Sequence, residues 1–341
     1  MGIAFSGLFN PIEINLENLS GKKIVIDAFN ALYQFASTIR QSDGTALMDS
    51  KGRVTSHLSG LFYRTMNLLK HDIKPCFVFD GKPPSFKKET ISSRINIREQ
   101  AKADYKKAID EEDFELAKQK AMQSTRVTTE MVTESKQLLD YLGIPVIQAP
   151  SEGEAQAAHM CFKGDVYACV SQDYDSLLFN TPILIRNLNI TGKRKVPSKN
   201  IYVNISPEKI VLQEELNRLG LFRDQLIMLG ILVGTDYNPK GVFGIGPKKG
   251  YDLVKQYPDF NKLFSNVKWE FDITPKEIFD FFKNPPVTSD YSLHWKQPNP
   301  DKVFELLCEE HDFSRERVEN ALGKLSQLRK KEGQKGLDQF M

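Results

Sequence analysis

The chain has 341 residues, 40% apolar and 26% charged, a composition that suits a soluble globular protein with an ordinary core. Its formal net charge is only +2, so any case for a polyanionic partner has to rest on where the charges lie. The four cysteines (Cys76, Cys161, Cys169, Cys308) and five histidines are scattered. They offer no knuckle, redox pair or HExxH pattern, which argues against a disulfide framework and zinc catalysis and leaves a carboxylate-only metal site open.

At the N-terminus, Asn10, Pro11 and Glu13 interrupt the early apolar residues, so no secretory leader is expected, and no stretch approaches the ~20 apolar residues of a membrane span. Met1 to Ser6 matches the short myristoylation pattern, which chance supplies often. The runs KKIVIDA, KPCFVFDG, IPVIQAP, VYACVSQD and PILIRNL are short, apolar and β-branched. Helical periodicity separates them, with helices expected over Ala31 to Arg40, Thr55 to Lys70, Thr129 to Leu142 and Glu154 to Phe162. This alternation predicts an α/β fold with a mostly parallel central sheet flanked by helices. From Ser85 to about Arg126 there is no strand candidate, and the dense Lys, Arg, Glu and Gln content predicts a helical insertion. A hairpin is expected from Ile183 to Leu188 and Ile201 to Ile205, and an α-rich region from Ser206 onward. The last dozen residues read as a disordered tail.

Acidic residues close the apolar runs. Asp27 ends KKIVID, Asp80 ends CFVFD, Glu152 and Glu154 follow PVIQAP, Asp173 and Asp175 follow YACVSQ, and Asp236 follows MLGILVGT. Each alone reads as a helix cap or turn residue, and Ser151 with Glu154 satisfies a capping box. Together they differ from that, because strand ends in a parallel sheet share one rim. Two carboxylates ~4 Å apart at an effective dielectric of about 20 repel by roughly 4 kcal/mol, so a rim holding this many demands hard divalent cations.

Two basic features accompany the acids. Arg94, Arg98, Lys102 and Lys106 recur every four residues and share one helical face, with Lys82, Lys87 and Lys88 before them. Gly244 to Gly250, GIGPKKG, places glycines and Pro247 where a helix N-terminus meets an anion, which fits a helix-hairpin-helix gripping a duplex backbone.

The motifs IDAFNALYQF, TSHLSGLFYRT, IKPCFVFDGKPP, APSEGEAQAA, SQDYDSLLF, GTDYNPKGVFGIGPKK and QKGLDQFM, in this order, closely resemble the flap endonucleases of the structure-specific 5′-nuclease family, particularly the archaeal members. The likeness covers nearly the whole chain. It implies a PIN-like nuclease domain over residues 1–330, comprising an N-terminal part (1–84), a helical arch (85–128), an internal part (129–240) and a helix-hairpin-helix and C-terminal part (241–330). A flexible tail (331–341) would follow.

The resemblance further implies two Mg²⁺, with Mn²⁺ as a substitute. Asp27, Asp80, Glu152 and Glu154 would surround one ion and Asp173, Asp175 and Asp236 the other, some through water. Lys87 and Arg94 would contact the scissile phosphate and Tyr33 would stack on the nucleotide beside the cut. Gly2, Arg64, Arg98, Lys102, Gly244, Gly246, Lys248 and Lys249 would bind DNA, with K⁺ at the turn. Gln334, Leu337, Phe340 and Met341 resemble the box that binds a sliding clamp (PCNA), Met341 standing where an aromatic is usual. The implied activity is cutting at the base of a 5′ flap, with 5′-3′ exonuclease activity, in Okazaki fragment maturation and repair. The implied partner is branched DNA, with no membrane, and the implied location is the cytoplasm of an archaeon or the nucleus of a eukaryote. A 5′ nuclease acting on gaps or bubbles, a catalytically silent DNA-junction scaffold and a PIN-type ribonuclease are the rivals.

Overall fold

A computed structural model describes residue 5 and residues 7–41, 44–188, 193–195 and 202–324. The strands are β1 (Ile12–Glu13), β2 (Lys23–Asp27), β3 (Lys74–Phe79), β4 (Val146–Gln148), β5 (Ala168–Val170), β6 (Ile183–Arg186), β7 (Lys193–Lys195), β8 (Tyr202–Asn204) and β9 (Glu208–Val211). Seven form one sheet in the order β1-β9-β6-β5-β2-β3-β4. The four pairings among β6, β5, β2, β3 and β4 are all parallel, and β9 and β1 add an antiparallel edge. The parallel strands are continuous apolar runs because helices cover both faces of the sheet.

The helices are α1 (Ala28–Thr38), α2 (Ser56–Lys70), α3 (Lys88–Asp110), α4 (Phe114–Gln123), α5 (Thr129–Tyr141), α6 (Gly153–Phe162), α7 (Asp175–Leu178), α8 (Leu212–Leu219), α9 (Arg223–Val233), α10 (Pro247–Gln256), α11 (Phe260–Ser265), α12 (Pro275–Lys283) and α13 (Pro300–Phe304). One core cluster joins β2, β3, α1, α2 and α5 to Val303, Leu306, Leu307 and Val318 from the C-terminal segment. A second joins α7, α8 and α9 to Val254, Leu263, Ile278 and Phe282. None of the described helices is long and apolar enough to cross a membrane.

Two expectations change. Ile183–Arg186 does not form a hairpin with the segment around residue 203; it pairs antiparallel with Glu208–Val211, while the backbone of Tyr202–Asn204 pairs with Lys193–Lys195. Glu208–Val211 is therefore a strand inside the region expected to be helical, drawn there by the open edge of β6. MLGILV lies in α9, within the region expected to be helical, so Asp236 reaches the other acids from the end of a buried helix while they follow strands.

The insertion after Pro84 is helical as expected. A short 3₁₀ turn, Ser85–Lys87, leads into α3, which packs against α4, and Lys120 Nζ sits 2.6 Å from Asp104 Oδ2 between them. Arg40 ties the returning end to α1, donating from Nη2 to Ala121 O at 2.8 Å and to Thr125 Oγ1 at 2.6 Å.

Candidate metal centre and nucleic-acid interface

Strands β2, β3 and β5 run in parallel, so their C-terminal ends deliver Asp27, Asp80 and the segment Ser171 to Asp175 to one edge of the sheet. Asp27 and Asp175 are buried, and Asp80, Glu152, Glu154, Asp173 and Asp236 are half-buried. Asp27 also caps α1, accepting from the Asn30 N–H at 3.1 Å. The capping role and the acidic cluster coexist in one side chain. The Ser151–Glu154 box, by contrast, does not form: Glu152 is the residue preceding α6, with no side-chain cap, and Glu154 Oε1 accepts from Ser171 Oγ at 2.8 Å.

Two polar residues not singled out in the sequence organise the acids. Asn30 Nδ2 donates to Asp173 Oδ2 at 3.1 Å, and Asn30 Oδ1 accepts from the Gln172 N–H at 3.3 Å, linking α1 to the segment after β5. Ser171 holds Glu154 and also accepts from the Asp173 N–H at 3.2 Å. An Asn in the first turn of a helix and a Ser after a strand are common in any fold, so only the acid-x-acid spacing beside them gave a signal.

The electrostatics record the crowding. Burial, then the Asp80 charge, pushes the Asp27 carboxyl up to about 8. Burial raises Glu154 well above the usual carboxylate range, with Asp175 and Asp27 adding to it. Burial raises Asp80 and Glu152 as well, opposed by the Gly153 N–H at Asp80 and by Lys87 at Glu152. Through these neighbours all seven acids form one interacting group.

Lys87 and Arg94 stand inside that group. Lys87 Nζ is 2.6 Å from Glu152 Oε2 and 3.4 Å from Asp236 Oδ2, and Arg94 Nη2 is 2.5 Å from Asp236 Oδ1. Burial would lower the Lys87 ammonium, but Glu152 and Asp236 outweigh it and raise it. Their base is rigid: Phe86, Tyr237 and Phe281 pack edge to face with centroids 5.1–5.3 Å apart, and Thr90 Oγ1 donates to Asp236 O. Asp236 sits in a loop closed on itself. Gly234 and Gly241 approach so closely that a Cβ on Gly234 would lie 2.4 Å from Gly241 N, and buried Asn238 accepts from Thr235 Oγ1 at 2.7 Å and donates to Ile231 O at 2.7 Å.

Among the described residues no trio of His, Cys, Asp or Glu is drawn tightly enough to grip one ion directly. The donor set nevertheless fits hard divalent cations. It is all carboxylate oxygen, burial and then mutual repulsion raise the proton affinity of its acids, and Mg²⁺ commonly keeps several of its waters, which a wider ring accommodates.

Other expected residues fall in two places. Tyr33, on α1, is 39% exposed with the Arg98 guanidinium 5.9 Å from its ring centroid, so the basic face of α3 divides: Arg94 and Arg98 are half-buried near α1 and the acids, while Lys102 and Lys106 are exposed. Arg64 is half-buried on α2. Away from them, Gly244 and Gly246 lie in the turn entering α10 and Lys248 and Lys249 in its first helical turn, with Gly246 as cap and Pro247 at the start as expected. Gly2 and the tail positions Gln334, Leu337, Phe340 and Met341 lie outside the described residues.

The family model of the XPG N-terminal domain matches residues 1–101, and that of the XPG I-region matches residues 143–236. Flap endonuclease 1 of Pyrococcus abyssi is 55% identical over 340 residues, covering 100% of this chain and 98% of the relative. The chain belongs to the flap endonuclease 1 family. Flap endonuclease 1 of Staphylothermus marinus is 57% identical over 312 residues, covering 91% of this chain and 89% of that one. Among solved structures, flap endonuclease-1 of Methanococcus jannaschii superposes with a TM-score of 0.76 at 43% identity, covering 96% of this chain and 98% of that chain. The catalytic core of Rad2 in complex with DNA substrate gives 0.69 at 25% identity, covering 95% and 100%. Flap endonuclease membership makes the protein a metal-dependent nuclease acting on DNA, and the cluster of seven acids, six at the sheet edge and Asp236 from the loop after α9, is its candidate centre.

Proposed function

We propose that the protein hydrolyses one phosphodiester at the base of a 5′ flap, using two Mg²⁺ at the acidic cluster, with Mn²⁺ able to replace them. The observation that carries this reading is the single interacting group of seven acids with Lys87 and Arg94 paired into it. Asp27, Asp80, Glu152 and Glu154 would hold one ion and Asp173, Asp175 and Asp236 the other. When bound, such ions supply Lewis-acid charge at the phosphate and activate water for in-line attack.

The chain's own residues do the rest. Asn30 and Ser171 keep Asp173 and Glu154 oriented before substrate arrives. Lys87 and Arg94, already aimed at the cluster, would turn their charge to the scissile phosphate and stabilise the negative charge that grows on its oxygens. Tyr33, partly exposed beside Arg98, offers a ring face for the base next to the cut. The turn from Gly241 to Lys249 would hold the duplex backbone, with K⁺ among its carbonyls, independently of sequence. The product would be a nick with a 5′-phosphate, as replication and repair require, made together with the sliding clamp through the tail and, in an archaeal cell, in the cytoplasm. Exonuclease trimming from a 5′ end is the same reaction on a shorter flap.

The test is cleavage of a labelled double-flap DNA with and without Mg²⁺, mapped to the nucleotide, alongside Asp173→Ala. Mg²⁺-dependent cutting at the flap base, lost in Asp173→Ala while DNA binding persists, supports the reading. Cutting that Asp173→Ala leaves intact overturns the assignment of the cluster, and no cutting by the unaltered protein indicates a junction-binding scaffold.

A further inference from the structure

Phe243 is the most exposed large apolar side chain among the described residues, at 95%. Single apolar residues on a surface are ordinary, so exposure alone says little. Its seat is not ordinary. The Ile245 N–H donates to Val242 O at 3.0 Å, closing a four-residue turn with Phe243 second and Gly244 third. Gly244 has φ +74, as a type II turn requires at that position. Val242 is buried and its N–H donates to Leu232 O at 2.8 Å, while Ile245 packs on the second core cluster. Gly241, with φ +63, abuts the end of α9 so tightly that a Cβ would lie 2.3 Å from Val233 C. The ring therefore stands at the tip of a fixed turn, with the chain pinned on both sides.

Its surroundings select the occupant. Lys240, Lys248 and Lys249 are all exposed, Lys249 Nζ lies 3.3 Å from Gly244 O, and α10 starts at Pro247 with no side chain capping it. An apolar protein partner covering the ring would have to desolvate these cations. A polyanion whose phosphates flank apolar sugar faces satisfies both features at once.

We propose that Phe243 packs against deoxyribose at the edge of the minor groove of duplex DNA, between phosphates taken by the neighbouring lysines and the start of α10. This rests on the reading that the turn grips duplex. A phenyl ring has no donor or acceptor to read a base, so the contact adds affinity without sequence preference. It neutralises no phosphate, so it adds affinity without salt dependence.

The experiment compares Phe243→Ala, Phe243→Trp, Lys248→Ala and Phe222→Ala, the last removing another exposed ring (80%) from the opposite end of α9. Dissociation constants for a short blunt duplex are measured by fluorescence anisotropy over a salt series at constant K⁺ without divalent ions, with flap-cleavage kinetics alongside. Phe243→Ala is expected to weaken duplex binding and raise KM by roughly fivefold to tenfold, with kcat and melting temperature unchanged and the salt slope equal to wild type. Phe243→Trp and Phe222→Ala should bind as wild type, and Lys248→Ala should reduce the salt slope by about one.

Wild-type affinity in Phe243→Ala, an equal loss in Phe222→Ala, or a changed salt slope in Phe243→Ala would each overturn the contact. If the unaltered protein neither binds duplex nor cuts a flap, it is the functional reading that fails. If it does both and Phe243→Ala is indifferent, this inference alone fails.

Discussion

The Gly153 backbone N–H donates to Asp80 Oδ1 at 2.7 Å, so an acid just after β3 caps the helix that carries Glu154 and follows Glu152. The contact leaves no room for a side chain, since a Cβ on Gly153 would lie 2.6 Å from that same oxygen. Gly153→Ala should therefore displace Asp80 while the helix survives. Displacements near 1 Å at a reacting centre cost about a hundredfold in rate. Single-turnover flap cleavage is expected to slow by about ten- to a hundredfold, with little change in circular dichroism; an unchanged rate would show that the Asp80 position is not critical.

Lys87→Ala removes the cation between Glu152 and Asp236. Losing one preorganised charge at a developing oxyanion typically costs 10²–10³ in kcat, and about a hundredfold loss is expected here. Affinity for flap DNA should barely move, because one phosphate contact among many is lost. A loss confined to affinity would place Lys87 in binding rather than chemistry.

Without divalent ions, stability should fall on the alkaline side. Asp27 ionises at about 8 in the folded protein against 3.8 for an ordinary Asp, and Glu154, Asp80 and Glu152 are shifted in the same direction. A raised acid contributes stability that is complete below the ordinary value and is lost as pH climbs through the folded one. In EDTA the melting temperature should drop between about pH 4 and 8, and Mg²⁺ should restore more of it at pH 8 than at pH 5. A Mg²⁺ effect independent of pH would argue against the cluster as its site.

Asp49 behaves in the opposite sense. Burial alone would raise it, but hydrogen bonds from the Arg53 backbone and side chain and from His311 hold it down at about 2. Its contribution is present above the ordinary 3.8 and is lost as pH falls towards 2. Asp49→Asn should therefore be less stable than wild type at pH 6 and lose less on acidification from pH 4 to 2, as thermal melts would show.

How far the sequence revealed this molecule depended on how local each signal was. Runs such as KIVID and PCFVF announce strands covered on both faces, and Asp27, Asp80, Glu152, Glu154, Asp173 and Asp175 could be placed on the rim because each follows such a strand. Asp236 could be named but not placed, since it follows a helix and no strand end carries it to the rim. Glu208–Val211 was missed because its pairing is set by the edge of β6 rather than by its own residues. Least visible was the set of buried His57, His311 and Asp49 with half-buried Glu134. His57 Nε2 lies 3.0 Å from Glu134 Oε2, and His311 Nδ1 lies 3.1 Å from Asp49 Oδ2, although the last two are 262 residues apart. No spacing rule spans such a distance.

The loop carrying Asp236 has a consequence for biosynthesis. Six of the seven acids lie before residue 176, but the seventh waits for α9 to form and for Gly234 and Gly241 to meet. The first core cluster stays incomplete longer still, until Val303, Leu306, Leu307 and Val318 close over it. A chain still emerging from the ribosome thus carries most of the acids of a DNA-cutting centre before the loop that holds the seventh, and the core beneath them, can form.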